Sequence, residues 1–589
     1  MVKKHFKQYK VLYIIVILAS ILILYNFDSM YLWKDEASTA QIGYNTMLYG
    51  YPQVWDGKNL VTNADGSHFN DHFVEIAHGW LQYYIAGISI KLLGKTTFAA
   101  RLPFTLFSIF TIVVIWFLAK KVFRRESIAN LTAFTFSIYI PFLLYSRQCR
   151  YYPLVFFFCS LSLLMLYKLF DYYEQKKEYT LMNLMIVRVF LSISFALLFY
   201  SDHLSGFVLI GGIVSYLILV KPFLFRKIIL NIGFGILLWS PWYIYANVLS
   251  NTPTTFVTKL DTNFAVKILM VVWKIHAYLL PFLIMIGFVL ILRIYSDIVK
   301  KPKRTMFTKQ NIIFVFILIS NIIIVAAPRQ VLVNHYLLCA VVAAPFILTT
   351  FIYYVYKHSK LFSIILYTII ISCNLFNIAP YFLMDKDFKN TNNSTNNYLS
   401  MYNETTNRFL VASPVTLTNL TIEPLKKYLK NIKIESYFLN YLKELTNDYD
   451  CPAEEITKTL MKYGSQDETV FIMGGEFECE PIIFYTKLRV VKNLNEKFNM
   501  YNNTINQKKY SYLTYAPDQS IDWIILMQGY NTFLFDDPGY LEKSKSEYDI
   551  FESKSIDIPM SNIPDLDYHK FTTVTDGPKF IFMHRKSIK

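Results

Sequence analysis

Eleven apolar segments recur along this 589-residue chain, each close to the roughly 20 residues that a helix needs to cross a bilayer. They fall near residues 10–28, 101–122, 128–146, 152–170, 184–200, 204–221, 228–247, 266–294, 311–327, 335–356 and 361–383. Backbone polar groups inside hydrocarbon must be bonded within the protein, so each run is expected to be a helix. Composition agrees: 54% of residues are hydrophobic and only 17% charged, and the mean hydropathy of +0.32 is too high for an ordinary soluble protein. A net charge of +16 can signal nucleic acid, but the Lys and Arg sit largely in short clusters between apolar runs. There they read as orientation signals, so the expected surroundings are membrane lipids of the cell membrane and no nucleic acid.

Topology follows from those clusters. The basic stretch Lys3 to Lys7 before Val11 to Tyr25 lacks a convincing small-x-small cleavage site and is read as an uncleaved first span with a cytoplasmic N-terminus. A twelfth apolar segment, His78 to Gly94, carries Gln82 and Lys91 and is rich in Trp80, Tyr83 and Tyr84, which favour the headgroup level. If it does not span, the loops holding Lys120, Lys121, Arg124 and Arg125, then Lys176 and Lys177, Lys221, Arg226 and Lys227, the run Lys300 to Arg304, and Lys357 with Lys360 all fall inside. If it spans, they all move outside, against the positive-inside rule. The expected architecture is a polytopic α-helical membrane protein of about 11 spans, 12 or 13 at most, with 78–94 lying as an interfacial helix within a first outer loop over 33–100.

Beyond residue 384 the composition turns polar. The Asn/Ser/Thr-rich stretch Asn390 to Asn397 opens a tail in which strand-like runs (Phe409 to Ala412, Thr469 to Met473, Asp522 to Met527, Lys579 to Met583) alternate with helix-like stretches such as Ala453 to Tyr463. That alternation predicts a C-terminal extracytoplasmic α/β domain over 385–589, following a transmembrane domain over 1–384. Sequons at Asn392, Asn393, Asn403, Asn419 and Asn502 agree weakly with an outer tail. The six cysteines show neither CxxC spacing nor a disulfide-scaffold density.

With this topology the unusual polar residues collect on one, non-cytoplasmic side. The first loop holds Asp35 and Glu36 directly after the first span, then His68, Asp71, His72, Glu75 and His78. The next two hold Arg147, Arg150 and Tyr151, then Asp202 with His203; the last holds Arg329 and His335. An acid pair at a membrane edge is costly unless bonded or used. One plain reading is that Asp35 caps a helix beginning near Ala37. His68, Asp71, His72 and Glu75 stand at i, i+3, i+4 and i+7, one face of a helix and a spacing that can bind zinc. A solvated polar turn explains them more simply, and no metal ligand is expected. Taken together, carboxylates that accept a proton from an attacking hydroxyl and arginines that fork two phosphate oxygens describe a transferase with a phosphate leaving group. A donor anchored in lipid gives such a site reason to sit among spans. A transporter or flippase of a lipid-linked or polyanionic substrate is the alternative; it would place charged or helix-breaking residues near the midplane of several spans, whereas here they keep to span ends. A membrane-anchored scaffold leaves the collected residues unexplained.

Asp35-Glu36-Ala37, His78-Gly79-Trp80-Leu81-Gln82-Tyr83-Tyr84, Leu93-Gly94 and Ala100-Arg101-Leu102-Pro103 resemble the membrane glycosyltransferases of the GT-C class, in the branch of protein O-mannosyltransferases and the lipid A aminoarabinose transferase. Ser146-Arg147 with Arg150-Tyr151, and Arg329 with His335-Tyr336, are placed as in that branch. His78-Gly79-Trp80 departs from the His-Pro-Pro of many members, and the WWDYG signature of oligosaccharyltransferases is missing, the nearest string being Val54-Trp55-Asp56-Gly57. The resemblance implies a polyprenyl-phosphate-linked sugar as donor, inversion at the anomeric carbon, and a glycan, lipid or protein acceptor. It also implies Asp35 as base or its hydrogen-bonding equivalent, with Glu36 positioning the acceptor. Arg147, Arg150 and Arg329 would hold the carrier phosphate, and His78, Tyr151, Asp202, His203 and His335 would position substrate. A divalent cation is less expected than metal-free chemistry, because arginines can offset the phosphate charge.

Overall fold

The computed structural model describes residues 2–61, 68–175, 180–246, 264–299, 311–327 and 334–377, and from the tail 434–473, 479–491, 521–527 and most of 542–586. Among these, six helices are long and apolar enough to cross a membrane: Thr97–Phe123, Tyr152–Glu174, Leu181–Ser201, His203–Val220, Pro222–Ala246 and Asn334–His358. Two bent pairs, Glu126–Ser137 with Ile140–Ser146 and Lys267–Leu279 with Phe282–Leu292, bring the number to eight if each is one span. Shorter apolar helices lie at Tyr9–Leu24, Ile313–Ala326 and Lys360–Ser372. Together these fall on the eleven apolar segments, and the chain is an integral multi-pass membrane protein.

Three elements frame the first loop: α1 (Val2–Leu24), α2 (Lys34–Tyr49) and α3 (Leu81–Leu93). The segment expected over 78–94 is thus helical in all but its first three residues and its last. It ends at Gly94, whose φ of 92° is easy only for glycine. Helices α2 and α3 cross at two glycines. A Cβ on Gly87 would lie 2.2 Å from the Gly43 carbonyl oxygen, so only hydrogen at these positions lets the backbones meet.

The tail builds a five-stranded mixed sheet in the order β2-β1-β3-β5-β4, from β1 (Thr469–Met473), β2 (Arg489–Val491), β3 (Trp523–Met527), β4 (Tyr548–Glu552) and β5 (Phe580–Arg585). β1 runs parallel to β2 and β3, while β5 is antiparallel to β3 and β4. The expected strands at 469, 522 and 579 and the helix near 453 (Pro452–Tyr463) are present. The run Phe409 to Ala412, the linker from Asn390 and all five sequons lie outside the described residues. β2 and β4 escaped the sequence reading because one is three residues long and the other shows no buried residue in its pattern.

Composition divides the chain near residue 385, but packing does not. Ile42, Val54, Leu60, Val61, Phe69 and Tyr83 of the first loop share one core with Val470, Ile472, Trp523, Ile525, Phe580 and Phe582 of the sheet. Asn59 pairs with the sheet edge as a backbone would: its Nδ2 donates to Leu488 O (3.0 Å) and its Oδ1 accepts from Val490 N (2.8 Å). The Tyr485 hydroxyl accepts from Leu32 N at 3.0 Å and pairs with Thr97 Oγ1 at 2.6 Å. First loop and tail are therefore one packed cap.

Gly87→Ala is expected to lower stability by about 1–3 kcal/mol through overpacking, read as an earlier thermal midpoint in detergent. Gly233→Ala, where an added Cβ meets nothing within 4 Å, should leave it unchanged or raise it.

Candidate active site

The two acids that open α2 have different fates. The residue at the N-cap is Trp33, with no side-chain cap bond, and Asp35 and Glu36 lie inside the first turn. The capping reading of Asp35 is thereby corrected; the helix dipole instead favours both carboxylates there. Trp33 is fixed by its indole N–H, which donates to Gln148 Oε1 at 2.6 Å. Neighbours on a helix point about 100° apart, so the two acids face different surroundings.

Glu36 turns inward. It is fully buried, and Arg101 grips it with two bonds, Nε to Oε1 at 2.8 Å and Nη2 to Oε2 at 2.6 Å. The Cys149 amide adds a third bond to Oε1 at 2.7 Å. Arg101 also donates to the carbonyls of Phe27 and Met30, at 2.7 and 2.9 Å. Glu36 was expected to position the acceptor; its carboxylate is instead taken up in joining α2 to Arg101 of α4 (Thr97–Phe123) and to the Cys149 amide.

Asp35 turns toward Arg150 with its side chain one-third exposed (33%). Arg150 donates from Nη2 to Asp35 Oδ2 at 3.2 Å and from Nη1 to Thr39 Oγ1 at 3.2 Å. Burial alone would raise the Asp35 carboxyl, but Arg150 first and Lys34 second outweigh it and hold it below its ordinary range. The Arg150 guanidinium lies 5.3 Å from the Tyr151 ring centre, a cation–π distance. Aromatic rings continue from there: Tyr151 is 6.4 Å from His78, and Tyr152 stacks on His335 at 5.8 Å.

His335 is oriented from the tail. Its Nδ1 pairs with Asp565 Oδ2 at 3.2 Å, and the Tyr145 hydroxyl donates to the other oxygen of the same carboxylate. Two residues on, Asp567 accepts from Lys274 Nζ and Asn334 Nδ2, each at 2.8 Å. Asp565 was missed because nothing in Pro564-Asp565-Leu566-Asp567 announces contact with a span more than two hundred residues earlier.

Other expected residues fall elsewhere. Arg147 is committed away from Asp35, with Nη2 on the Asn26 carbonyl at 2.6 Å and Nη1 on the Tyr441 hydroxyl at 3.3 Å. Asp202 caps the helix His203–Val220, accepting from the Ser205 amide (2.9 Å) and hydroxyl (2.5 Å), though its charge still reaches His78. His203 stands 6.3 Å from Trp242 and also bears electrostatically on His78. Arg329 lies outside the described residues.

The first-loop histidines do not form a helix face. Residues 68–76 form a hairpin, with bridges Phe69↔Glu75 and Gln53↔Val74 and a bond from Ile76 N to His68 O at 2.8 Å. Its turn is closed by Asn70 Oδ1, which accepts from the amides of His72 and Val74. Asp71 and His72 are exposed at the tip, as a polar turn predicts. Glu75 is buried, and its Oε1 accepts from the amides of Ala77 (3.0 Å) and His78 (3.2 Å) and pairs with His78 Nδ1 at 3.1 Å. Burial pushes the Glu75 carboxyl up to about 7. Burial first and Arg150 second push the His78 imidazole down to about 3, so that ring is neutral and this contact is a hydrogen bond. His68, Glu75 and His78 each offer a ligand atom within 4.8 Å of the other two. Gly79 explains the departure from His-Pro-Pro: a Cβ there would sit 2.1 Å from the Tyr200 carbonyl oxygen, so glycine is what lets the His78 loop touch the end of Leu181–Ser201.

This arrangement sits on an architecture already seen. The structure is similar to ArnT from Cupriavidus metallidurans in the apo state, with TM-score 0.55 and 14% identity over 90% of this chain and 95% of that one. It is similar also to the same protein bound to undecaprenyl phosphate, with TM-score 0.55 and 12% identity over 98% of each chain. The fold is the one seen in that protein. Residues 77–245 of this chain match the family model described as dolichyl-phosphate-mannose-protein mannosyltransferase. That segment carries His78, Arg150, Tyr151, Asp202 and His203, whereas Asp35 precedes it. No curated protein matches the chain in sequence.

The split between the acids is testable by stability alone. Glu36→Gln, which leaves Arg101 buried without its counter-charge, is expected to cost about 3–5 kcal/mol and to lower the thermal midpoint and the yield of folded protein. Asp35→Asn should melt within a few degrees of wild type.

Proposed function

We propose that this protein is an inverting glycosyltransferase that moves a single sugar from a polyprenyl-phosphate carrier to an acceptor on the non-cytoplasmic face. One observation carries the reading: a partly exposed, ionised Asp35 stands beside the buried cation Arg150, in a fold shared with a protein that binds undecaprenyl phosphate. In the reaction the acceptor O–H or N–H attacks the anomeric carbon while the bond from that carbon to the carrier phosphate breaks. The phosphate leaves with the bonding electrons, and the acceptor's proton passes to Asp35.

A carboxylate held below its ordinary range is a weak base at neutral pH, and catalytic bases work best with a pKa near the operating pH. Asp35 therefore orients the acceptor by accepting its hydrogen bond and takes the proton late, once bonding to the anomeric carbon has acidified it. Arg150 has five N–H donors, more than it gives to Asp35 and Thr39, and offers the rest to the phosphate as charge develops. Arg329 is its proposed companion on sequence grounds. His78, Tyr151 and His335 form the walls, with His335 set by Asp565. Glu36 and Arg147 are left out of the chemistry, because each is bonded into the scaffold.

Intact-cell glycan and lipid profiling, with and without the gene product, tests the reading. One sugar should disappear on deletion and return with the wild-type gene. Asp35→Asn should fail to restore it at equal protein level, since turnover falls by about a hundred- to ten-thousand-fold on losing such a group. Full restoration by Asp35→Asn would overturn the mechanism.

A further inference from the structure

The hairpin that carries His68 and Glu75 has no part in the transfer chemistry above, yet with His78 just beyond it two imidazoles and a carboxylate come together. We propose that His68, Glu75 and His78 bind one divalent transition-metal ion of the zinc type.

Three features support this. The donor set, two imidazoles and one carboxylate, is what zinc and its neighbours prefer, and three protein ligands leave a position open to water or a substrate oxygen. The spacing is close to what binding needs. Ligand arms of about 2.1 Å set the edges of a tetrahedron near 3.4 Å, and His78 Nδ1 and Glu75 Oε1 are already 3.1 Å apart. All three ligand atoms fall within 4.8 Å of one another, so small side-chain rotations close the set. Glu75 is 1% exposed, and among the described residues no lysine or arginine forms an ion pair with it. A buried carboxylate without such a partner is costly, and a divalent ion supplies the missing charge. On binding, the ion takes the place of the proton in the hydrogen bond between His78 Nδ1 and Glu75 Oε1, and that proton is released to solvent.

The site differs from the helical pattern His68, Asp71, His72, Glu75 in the sequence: the hairpin keeps two of those residues, discards the two at its tip and recruits His78. It also departs from the metal-free expectation. Binding is independent of the transferase reading, so either can fail without the other.

The test uses the full-length protein, free of any histidine tag, in detergent. It is stripped with a chelator, then titrated with Zn2+ by calorimetry and with Co2+ by visible absorption. Wild type should take up one equivalent and give a Co2+ spectrum with nitrogen ligands. His68→Ala and Glu75→Gln should weaken binding by at least about a hundredfold, exceeding the 10- to 100-fold typical of losing an outer-shell partner. His72→Ala at the exposed tip should bind as wild type. Thermal unfolding of the metal-free proteins separates lost ligation from lost folding, and His68→Asn, a polar replacement of similar size, serves as a second variant at that position. Absence of uptake by wild type, undiminished uptake by the His68 and Glu75 variants, or an equal loss in His72→Ala would overturn the proposal.

Discussion

A single buried guanidinium organises the outer end of this molecule. Arg101 rises from the first turns of α4, holds both oxygens of Glu36 and reaches back to the carbonyls of Phe27 and Met30 in the turn after α1. Those carbonyls belong to a chain leaving one helix and entering another, where backbone groups lack partners and an unpaired group away from water is costly. The same carboxylate takes the Cys149 amide, one residue before Arg150. Two loops far apart in sequence are thereby set against each other by one ion pair. The meeting of Asp35 with Arg150 at 3.2 Å follows from it.

The pair illustrates how adjacent identical charges acquire different work. Glu36 is saturated by three bonds in a water-free setting, so it holds structure and has nothing to offer a substrate. Asp35, about 100° around the helix, keeps a third of its side chain open and shares its cation with Thr39. The tail completes the enclosure: the sheet packs on the first loop, and Asp565 reaches in to fix His335. A segment that composition marks as separate thus fixes a residue of the candidate site.

Much of this was legible in the sequence and some was not, for physical reasons. Hydrophobic runs specify spanning helices strongly, because hydrocarbon admits few other structures, and the eleven segments coincide with helices. Alternating apolar strands in the tail were legible where they are buried (Thr469, Trp523 and Phe580 onward), but the edge strand from Tyr548 was silent. Asp35, Arg150, Tyr151, His78 and His335 stand out in the sequence because polar residues at span ends are rare and parity places them on one side. Their separation from Glu36 and Arg147 was not legible, since it depends on which bonds each side chain finds in three dimensions. The histidine spacing after residue 68 matches a helical period, but Asn70 closes a turn and Phe69 and Glu75 bridge, which makes a hairpin with a polar tip. The glycine in His78-Gly79-Trp80 reads as a departure from a family pattern until the Tyr200 carbonyl is seen against it.

The most direct measurement is the affinity of the folded, purified protein for undecaprenyl phosphate, compared between Arg150→Gln and Arg147→Gln. Hydrogen bonds to charged groups contribute about 1.5–3 kcal/mol, so Arg150→Gln should weaken binding by roughly ten- to a hundredfold, with Arg147→Gln binding as wild type. An unchanged affinity in Arg150→Gln, or the loss appearing in Arg147→Gln instead, would contradict the account.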